Sequence, residues 1–285
     1  MLFAGISRNR RFSPNHTGND RAVFELVAGH LREMGHQVNE YGEEECLKGV
    51  GERYIFTMAR EPQVVRMLQA LENDGARVVN SGYGIENCYR SNMTQLLNEG
   101  GVPVPENITV NTREPAAANF LNQLPCWIKR GDFHAIHRED VSFARNADEG
   151  CAILAEFDSR GIETAVLSKH IAGDLVKFYG IRGTDFFFHF YPEEFQHSKF
   201  GNEAINGKTE RYPFRINELK NISARAADVL NIDIYGGDAI IAPDESIYLI
   251  DMNDFPSFAP CRESAAPVIA QRILGTCQHS RQNQR

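Results

Sequence analysis

The sequence predicts an α/β fold that begins with a parallel sheet. Strands and helices alternate over residues 1–85, which is typical of such a sheet. The chain has 285 residues, 42% of them hydrophobic, which is enough for a large core spread over two or three subdomains. Near its end, residues 236–256 place two apolar strands around a polar turn, which predicts a hairpin.

Composition excludes several classes of protein. The net charge of −8 argues against a nucleic-acid or anionic-membrane partner. The six cysteines have neither metal-binding nor redox spacing, so we expect buried free thiols. The apolar start, Met1–Ser7, is too short for a signal peptide, and no segment reaches membrane-spanning length. These features predict a soluble cytoplasmic protein.

The first third of the chain carries the parallel-sheet signal. Apolar runs predict strands, and helices are expected between them because apolar residues recur at helical spacing. No glycine-rich fingerprint follows the first strand, which argues against a dinucleotide fold. The predicted strands are Leu2–Ser7, Tyr54–Met58 and Arg77–Asn80, and the predicted helices begin near Asn19 or Asp20 and at Pro62 and end at Gly35 and Gly75.

Two loops of this region form a candidate site. Ligands of parallel sheets bind beyond the carboxyl ends of the strands. The loop Arg8–Asn19 follows the first strand, and the loop Thr57–Arg60 follows the next. Arg8, Asn19 and Arg60 are therefore candidate substrate residues, although a merely solvated rim of arginines explains the pattern equally well.

The middle of the chain contains further candidates. Lys129 ends the apolar strand Cys126–Lys129 and either holds a phosphate or reaches to solvent, as such lysines usually do. The polar loop Arg130–Asp140 contains His134 and His137, of which His137 suits either a substrate phosphate or an ordinary surface. The aromatic run Phe186–Tyr191 packs either on its own core or against a second copy of the chain. Residues 197–215, with Arg211 and Arg215, are predicted to be a mobile loop.

The hairpin gives the most specific prediction from the residues alone. With Asp244 and Glu245 at its tip, Asp238 lies opposite Asp251, and Asn253 points the same way as Asp251. Two carboxylates and an amide oxygen on one patch suit Mg²⁺. The alternative is a surface hairpin with solvated acids, and a slip of one residue would turn Asp238 to the other face.

The order of these features resembles that of the ATP-grasp superfamily over residues 85–275. Its helix and proline-rich link are similar to Arg90–Leu97 and Gly101–Pro105. Trp127–Lys129 looks like its phosphate-binding strand, and Val166–Ile171 looks like its adenine hinge. The resemblance implies a Rossmann-like α/β domain (residues 1–85), then an ATP-grasp fold of two α+β subdomains (86–165 and 166–285).

The resemblance also implies roles for single residues. Arg90 and Lys129 would contact ATP phosphates, and Lys177 would face the transferred phosphoryl group, with Arg211 and Arg215 as further catalytic cations. Asp251 would bridge two Mg²⁺ ions (Mn²⁺ as an alternative), and Asp238 and Asn253 would hold one each. The adenine hinge would include Ser168, Lys169, His170 and Ile171, with Asp174 near the ribose. Independently of the resemblance, the candidate substrate residues are Arg8, Asn19, Arg60, His134 and His137.

Three functions remain open at this point. The commonest chemistry of the superfamily is a carboxylate–amine or carboxylate–thiol ligase acting through an acyl phosphate on a small molecule or peptide. The segment Asp251–Phe258 resembles that of inositol-phosphate kinases of the same fold, which favours a small-molecule kinase. A nucleotide-binding module without catalysis is less favoured, because the metal set is complete. Arg90, Asp251 and Ser257 depart from the residues that the ligases usually have (Lys, Glu and Gly).

Overall fold

The computed structural model describes residues 1–13, 17–114, 121, 124–195, 205 and 207–282. Its strands form three four-stranded sheets. Within the described ranges, no helix combines the length and apolar character needed to cross a membrane.

The first sheet is parallel and has the strand order β2-β1-β3-β4. It confirms the predicted parallel sheet and adds the strand β2, which the sequence analysis did not identify. The strands are β1 (Leu2–Ser7), β2 (Gln37–Gly42), β3 (Tyr54–Thr57) and β4 (Arg77–Val79), and the helices are α1 (Thr17–Glu33), α2 (Glu43–Cys46), α3 (Pro62–Asn73), α4 (Gly82–Asn87) and α5 (Arg90–Glu99).

The second and third sheets are antiparallel. The second has the order β5-β8-β6-β7, with β5 (Asn107–Asn111), β6 (Cys126–Arg130), β7 (Val141–Ala144), β8 (Thr164–Lys169) and the helix α6 (Ala147–Ser159). The third has the order β10-β9-β11-β12, with β9 (Asp174–Ile181), β10 (Phe187–Phe190), β11 (Ile234–Ile241) and β12 (Ile247–Asp254). The helices α7 (Pro192–Phe195), α8 (Ile216–Leu230) and α9 (Arg262–Gln282) accompany the third sheet.

One predicted subdomain boundary falls between two sheets, and the other falls inside a strand. Residue 85 lies between β4 and β5, but residue 165 lies inside β8, which belongs to the second sheet. We therefore propose that the second boundary follows Lys169.

One apolar core joins the first sheet to the third. It combines Phe3 and Phe56 of the first sheet with Phe255 and Phe258, which follow β12. The last helix, α9, adds a row of small and aliphatic side chains to this core. The aromatic run of β10 contributes Phe190, which is fully buried. The core therefore holds the end of β12 firmly against the first sheet.

All six cysteines are free thiols, as predicted. Five of them are buried, whereas Cys151 in α6 is exposed.

Candidate functional site

The predicted pairing of two carboxylates is confirmed at the centre of the third sheet. Asp238 of β11 pairs with Asp251 of β12 and, on its other side, with Lys177 of β9. Lys177 Nζ lies 3.1 Å from Asp238 Oδ1. Arg90 of α5 donates from Nη1 to Asp251 Oδ1 at 3.0 Å. A row of three residues from three strands, Lys177–Asp238–Asp251, thus faces one cavity.

The pairing is reached by a different route from the one predicted. Ile241 pairs with Ile247, and Ala242 N donates to Ser246 O at 2.9 Å, so the turn is shifted by one residue. A β-bulge then leaves Ile250 of β12 without an opposite residue on β11, and this extra residue restores the register before Asp238. Without the bulge, the shifted turn would have placed the two aspartates out of register.

The bulge also provides the acceptor for a buried lysine. Lys129 of β6 donates from Nζ to Ile250 O at 2.9 Å and is 8% exposed. Burial, followed by the positive charge of Arg90, lowers the pKa of Lys129 to about 8, although Asp251 and Asp238 oppose the shift. Arg90 is itself buried, and its Nε has no hydrogen-bond partner among the described residues. Three cations therefore surround the two carboxylates.

The side chains around Asp251 offer a small set of oxygen donors to a cation. In the described part of the chain, no group of three His, Cys, Asp or Glu side chains is placed to hold a metal. The carboxylates of Asp238 and Asp251 retain 26% and 24% exposure towards the cavity, however, and Asn253 Nδ2 lies 3.4 Å from Asp251 Oδ2. A half-turn of that amide would add a third oxygen donor. Few protein oxygens with room for water and phosphate fit Mg²⁺.

Apolar side chains of the second and third sheets lie together at one end of the cavity. Trp127, the only tryptophan of the chain, lines it together with aliphatic side chains of the second and third sheets. Trp127 Nε1 donates to His170 Nδ1 at 3.2 Å, so His170 lies behind this wall. The other lining residues at this end include Pro105, Val141, Ser168, Lys169, Ile171, Leu175 and Ile240.

The opposite end is formed by the first sheet. Arg8 follows β1, and Arg60 follows β3, so the two predicted loops do meet at one edge. The buried Glu43 ties these loops together: its carboxylate accepts from Asn9 N at 2.7 Å and from Arg60 N at 3.1 Å. Burial raises the pKa of Glu43.

Three of the predicted substrate residues converge on one carboxylate that the sequence analysis overlooked. Asp254 is fully buried, and Arg60 Nη2 donates to its Oδ1 at 3.2 Å. His134 Nε2 lies 3.3 Å from the same oxygen, and Arg8 Nη2 lies 3.8 Å from Oδ2. Asp254 directly follows the candidate ligand Asn253. The carboxylate of Asp254 therefore connects loops of the first and second sheets to the end of β12 in the third sheet.

Arg8 has little capacity left for a ligand. Its Nε donates to Met58 O at 3.0 Å, its Nη1 to Asp20 Oδ2 at 3.2 Å, and its Nη2 to Phe255 O at 3.0 Å. Two arginines and two aspartates, Arg8, Arg60, Asp20 and Asp254, therefore balance in charge at this end. Arg60 retains an Nε without a partner in the described ranges.

Three residues assigned to nucleotide or catalysis do not line the cavity. Asp174 is buried, and its carboxylate accepts from Glu210 N and Tyr212 N at 2.8 and 2.7 Å, so its oxygens already have backbone partners. Arg211 is 60% exposed and pairs with Glu194. Arg215 is exposed at the start of α8. Residues 196–204 and 206 of the predicted mobile loop lie outside the described residues.

Three further candidates are also displaced from the cavity. Asn19 accepts from Arg262 Nη2 at 2.6 Å, which links α1 to α9. His137 is exposed and caps a short 3₁₀ helix. His170 contacts Trp127 from outside. The cavity lining does include the remaining candidates, namely Arg8, Arg60, Arg90, Lys129, His134, Ser168, Lys169, Ile171, Lys177, Asp238, Asp251 and Asn253.

Some lining residues went unpredicted. Asp20, Tyr179 and Ser257 face the cavity beside the predicted set. The burial of Asp254, which does not itself line the cavity, could have been predicted, because alternation along β12 places it on the face opposite Asn253. A carboxylate on that buried face requires a cationic partner.

No family model matches the chain, and no curated protein is similar to it in sequence. Solved structures do match. A D-alanine–D-alanine ligase from Bacillus anthracis complexed with ATP has a TM-score of 0.71 at 13% identity and covers 100% of both chains. The Coxiella burnetii ligase gives 0.71 at 12%, covering 100% of this chain and 97% of the other. The ATP-grasp ligase PsnB complexed with minimal precursor gives 0.62 at 14%, covering 96% and 98%. At such identities the likeness establishes the fold alone, and this fold is the one that the motif order predicts.

Proposed function

We propose that this chain, which has the ATP-grasp fold, is a Mg-ATP-dependent ligase that joins a carboxylate to an amine or a thiol through an acyl phosphate. The observation that carries the proposal is the row Lys177–Asp238–Asp251, with Arg90 and Lys129 beside it in one cavity. Paired carboxylates suit a metal, and the cations suit phosphates. The ligase activities in the names of the structural neighbours support the same reaction class.

Each side chain has a role in this proposal. Asp251 would bridge two metal ions, with Asp238 and Asn253 holding one each, and Mn²⁺ suits the same oxygen donors. Bound metal would neutralise the phosphate charge that builds up during transfer. Arg90 and Lys129 would exchange their present acceptors for phosphate oxygens, which also carry negative charge. Lys177 would remain beside the transferred group.

The nucleotide base would lie at the apolar end. The backbone around Lys169 and Ile171 would bind the edge of the adenine, and Ser168 would lie beside it. Asp174 is no longer proposed for the ribose, because its carboxylate binds the backbone of residues 210 and 212.

Charge at the other end favours a ligase over a small-molecule kinase. A multiply phosphorylated alcohol needs several convergent cations with spare donors. Here Arg8 is saturated by Met58, Asp20 and Phe255, and Asp254 neutralises Arg60. Such an end suits a substrate with one carboxylate, either a small molecule or a peptide. A purely nucleotide-binding protein is disfavoured, since the metal and phosphate residues all lie in one cavity.

The test is ADP release from Mg-ATP with pooled metabolites, with and without hydroxylamine. Hydroxylamine traps an acyl phosphate as a hydroxamate but leaves a phosphate ester intact. Substrate-dependent ADP with a hydroxamate would support the ligase and identify the acid by mass. ADP with a stable phosphorylated product and no hydroxamate would replace the ligase by the kinase.

The lowered pKa of Lys129 predicts a pH-dependent nucleotide affinity. Lys129 is charged below its pKa of about 8 and neutral above it. Because phosphates favour the charged form, nucleotide binding must take up a proton above that pH, and we expect affinity to fall by up to about tenfold per pH unit. Titration of Mg-ADP at several pH values, followed by the fluorescence of Trp127, measures this effect.

The matched control is Lys129→Arg, because a guanidinium stays charged throughout this range. The variant should bind Mg-ADP with an affinity that does not change with pH. A wild-type affinity that stays constant from about pH 7 to about pH 10 would remove Lys129 from the phosphate site.

A further inference from the structure

Tyr179 carries a hydroxyl group that none of the roles above employs. It lies on β9, two residues after Lys177, so both side chains point to the same face of the sheet. Tyr179 lines the cavity and is 6% exposed. Its hydroxyl makes no hydrogen bond to any described residue. The oxygen is not fully buried, so a ligand in the cavity can reach it and supply the missing partner.

The ring of Tyr179 is held firmly in place. Its centroid lies 4.9 Å from that of Phe258 and 5.8 Å from that of Phe190. It also lies over Gly236, where an added Cβ would come within 2.6 Å of the ring and within 2.9 Å of Pro256 Cγ. A ring confined in this way presents its hydroxyl at a fixed position, as a binding residue requires.

Tyr179 lies between the row Lys177–Asp238–Asp251 and the first sheet. Tyr179 pairs with Gly236, which pairs with Asn253, so these residues form a second row beside Lys177–Asp238–Asp251. Burial raises the pKa of Tyr179, and the carboxylates of Asp238 and Asp20 add to the shift. The hydroxyl therefore remains protonated and can donate to an anion.

We propose that Tyr179 binds the carboxylate of the acid substrate by donating its hydroxyl hydrogen, on the side of the cavity where Arg60 lies. The inference rests on the proposed ligase function and extends it by naming a residue that selects an acid. Arg60 lines the same cavity, and its Nε has no partner among the described residues, so one guanidinium N–H remains for a carboxylate. A hydroxyl donor and one partly neutralised cation suit a single carboxylate rather than a phosphate cluster.

The test uses ¹³C-labelled acetate as the carboxylate probe and acetamide as its uncharged isostere. Binding to the full chain, with and without Mg-ADP, is followed by the line width of the probe. The variant Tyr179→Phe keeps the ring and removes only the hydroxyl. The control Tyr235→Phe removes a hydroxyl from another buried tyrosine of the third sheet, which belongs to the core beneath α8.

We expect saturable acetate binding to wild type and Tyr235→Phe, and binding about tenfold or more weaker for Tyr179→Phe, as for a lost hydrogen bond to a charged group. Equal affinities for acetate and acetamide, no saturable acetate binding by wild type, or acetate binding unchanged in Tyr179→Phe would each overturn the inference. Trp127 fluorescence with Mg-ADP is recorded in parallel. A nucleotide response without acetate binding refutes only the role of Tyr179, whereas acetate binding without a nucleotide response refutes the ligase.

Discussion

Asp251→Asn should lower ATP-dependent turnover by about 100- to 1,000-fold, because it removes the carboxylate proposed to bridge the metal ions. The loss should appear in ADP release at saturating nucleotide. The free energy of unfolding should fall by about 1–3 kcal/mol, because the buried Arg90 loses a charged hydrogen-bond partner. Asp251 is 24% exposed, and its removal frees Arg90 but also relieves the repulsion from Asp238 across the strand pair.

Asp244→Asn is the matched control for this variant. Asp244 lies in the exposed turn of the same hairpin, so the same chemical change is made away from the cavity. It should leave both turnover and stability unchanged. The Mg²⁺ dependence of nucleotide binding, measured by Trp127 fluorescence, should disappear in Asp251→Asn and persist in Asp244→Asn. Turnover at the wild-type rate in Asp251→Asn would exclude this residue as a metal ligand.

The sequence predicted the parts of the fold whose signal is local. Alternating strands and helices predicted the first sheet, and the motif order predicted the rest. The strand β2 was missed because it lies at the edge of its sheet and is largely exposed, so its apolar pattern is weak. β5, a short strand of Asn and Thr with few apolar residues, was missed for a similar reason.

The hairpin register illustrates a different limit. Counting from the predicted tip gave the observed pairing of Asp238 with Asp251, although the observed turn is shifted by one residue from the predicted one. The bulge at Ile250 corrects the shift, and it could not be predicted because isoleucine is an ordinary strand residue. The bulge also turns the carbonyl of Ile250 towards Lys129, so the irregularity contributes to the site.

The charge balance at the first-sheet end of the cavity could not be predicted, because it depends on contacts between residues far apart in the sequence. Arg8, Arg60 and His134 were each proposed for the substrate, but their common partner is Asp254, far from all three in the sequence. Long-range pairing of this kind leaves no periodic signal along the chain. The charge that those three residues offer to a ligand is therefore smaller than their number suggests, and the proposal of a ligase rather than a small-molecule kinase rests on this balance.

Asp254→Asn should act mainly on stability, whereas Asp251→Asn acts mainly on turnover, although the two residues lie three positions apart on one strand. The carboxylate of Asp254 is 1% exposed and lies within 3.2 Å of Arg60 Nη2, and the substitution removes its charge while keeping its shape. A buried arginine left without its counter-charge costs about 3–5 kcal/mol. Urea unfolding should show a loss in that range, against no change for Asp244→Asn.

The same variant separates an architectural role of Asp254 from a catalytic one. If Asp254 only anchors Arg60 and His134, residual folded protein should still bind Mg-ADP, because the nucleotide residues lie on the other side of Asp251. The KM of Asp254→Asn for the acid should rise, because Arg60 would no longer be fixed beside the cavity. Unchanged stability would mean that Arg8 and Arg60 do not depend on Asp254 as a counter-charge, and the charge at this end would then no longer favour a ligase over a kinase.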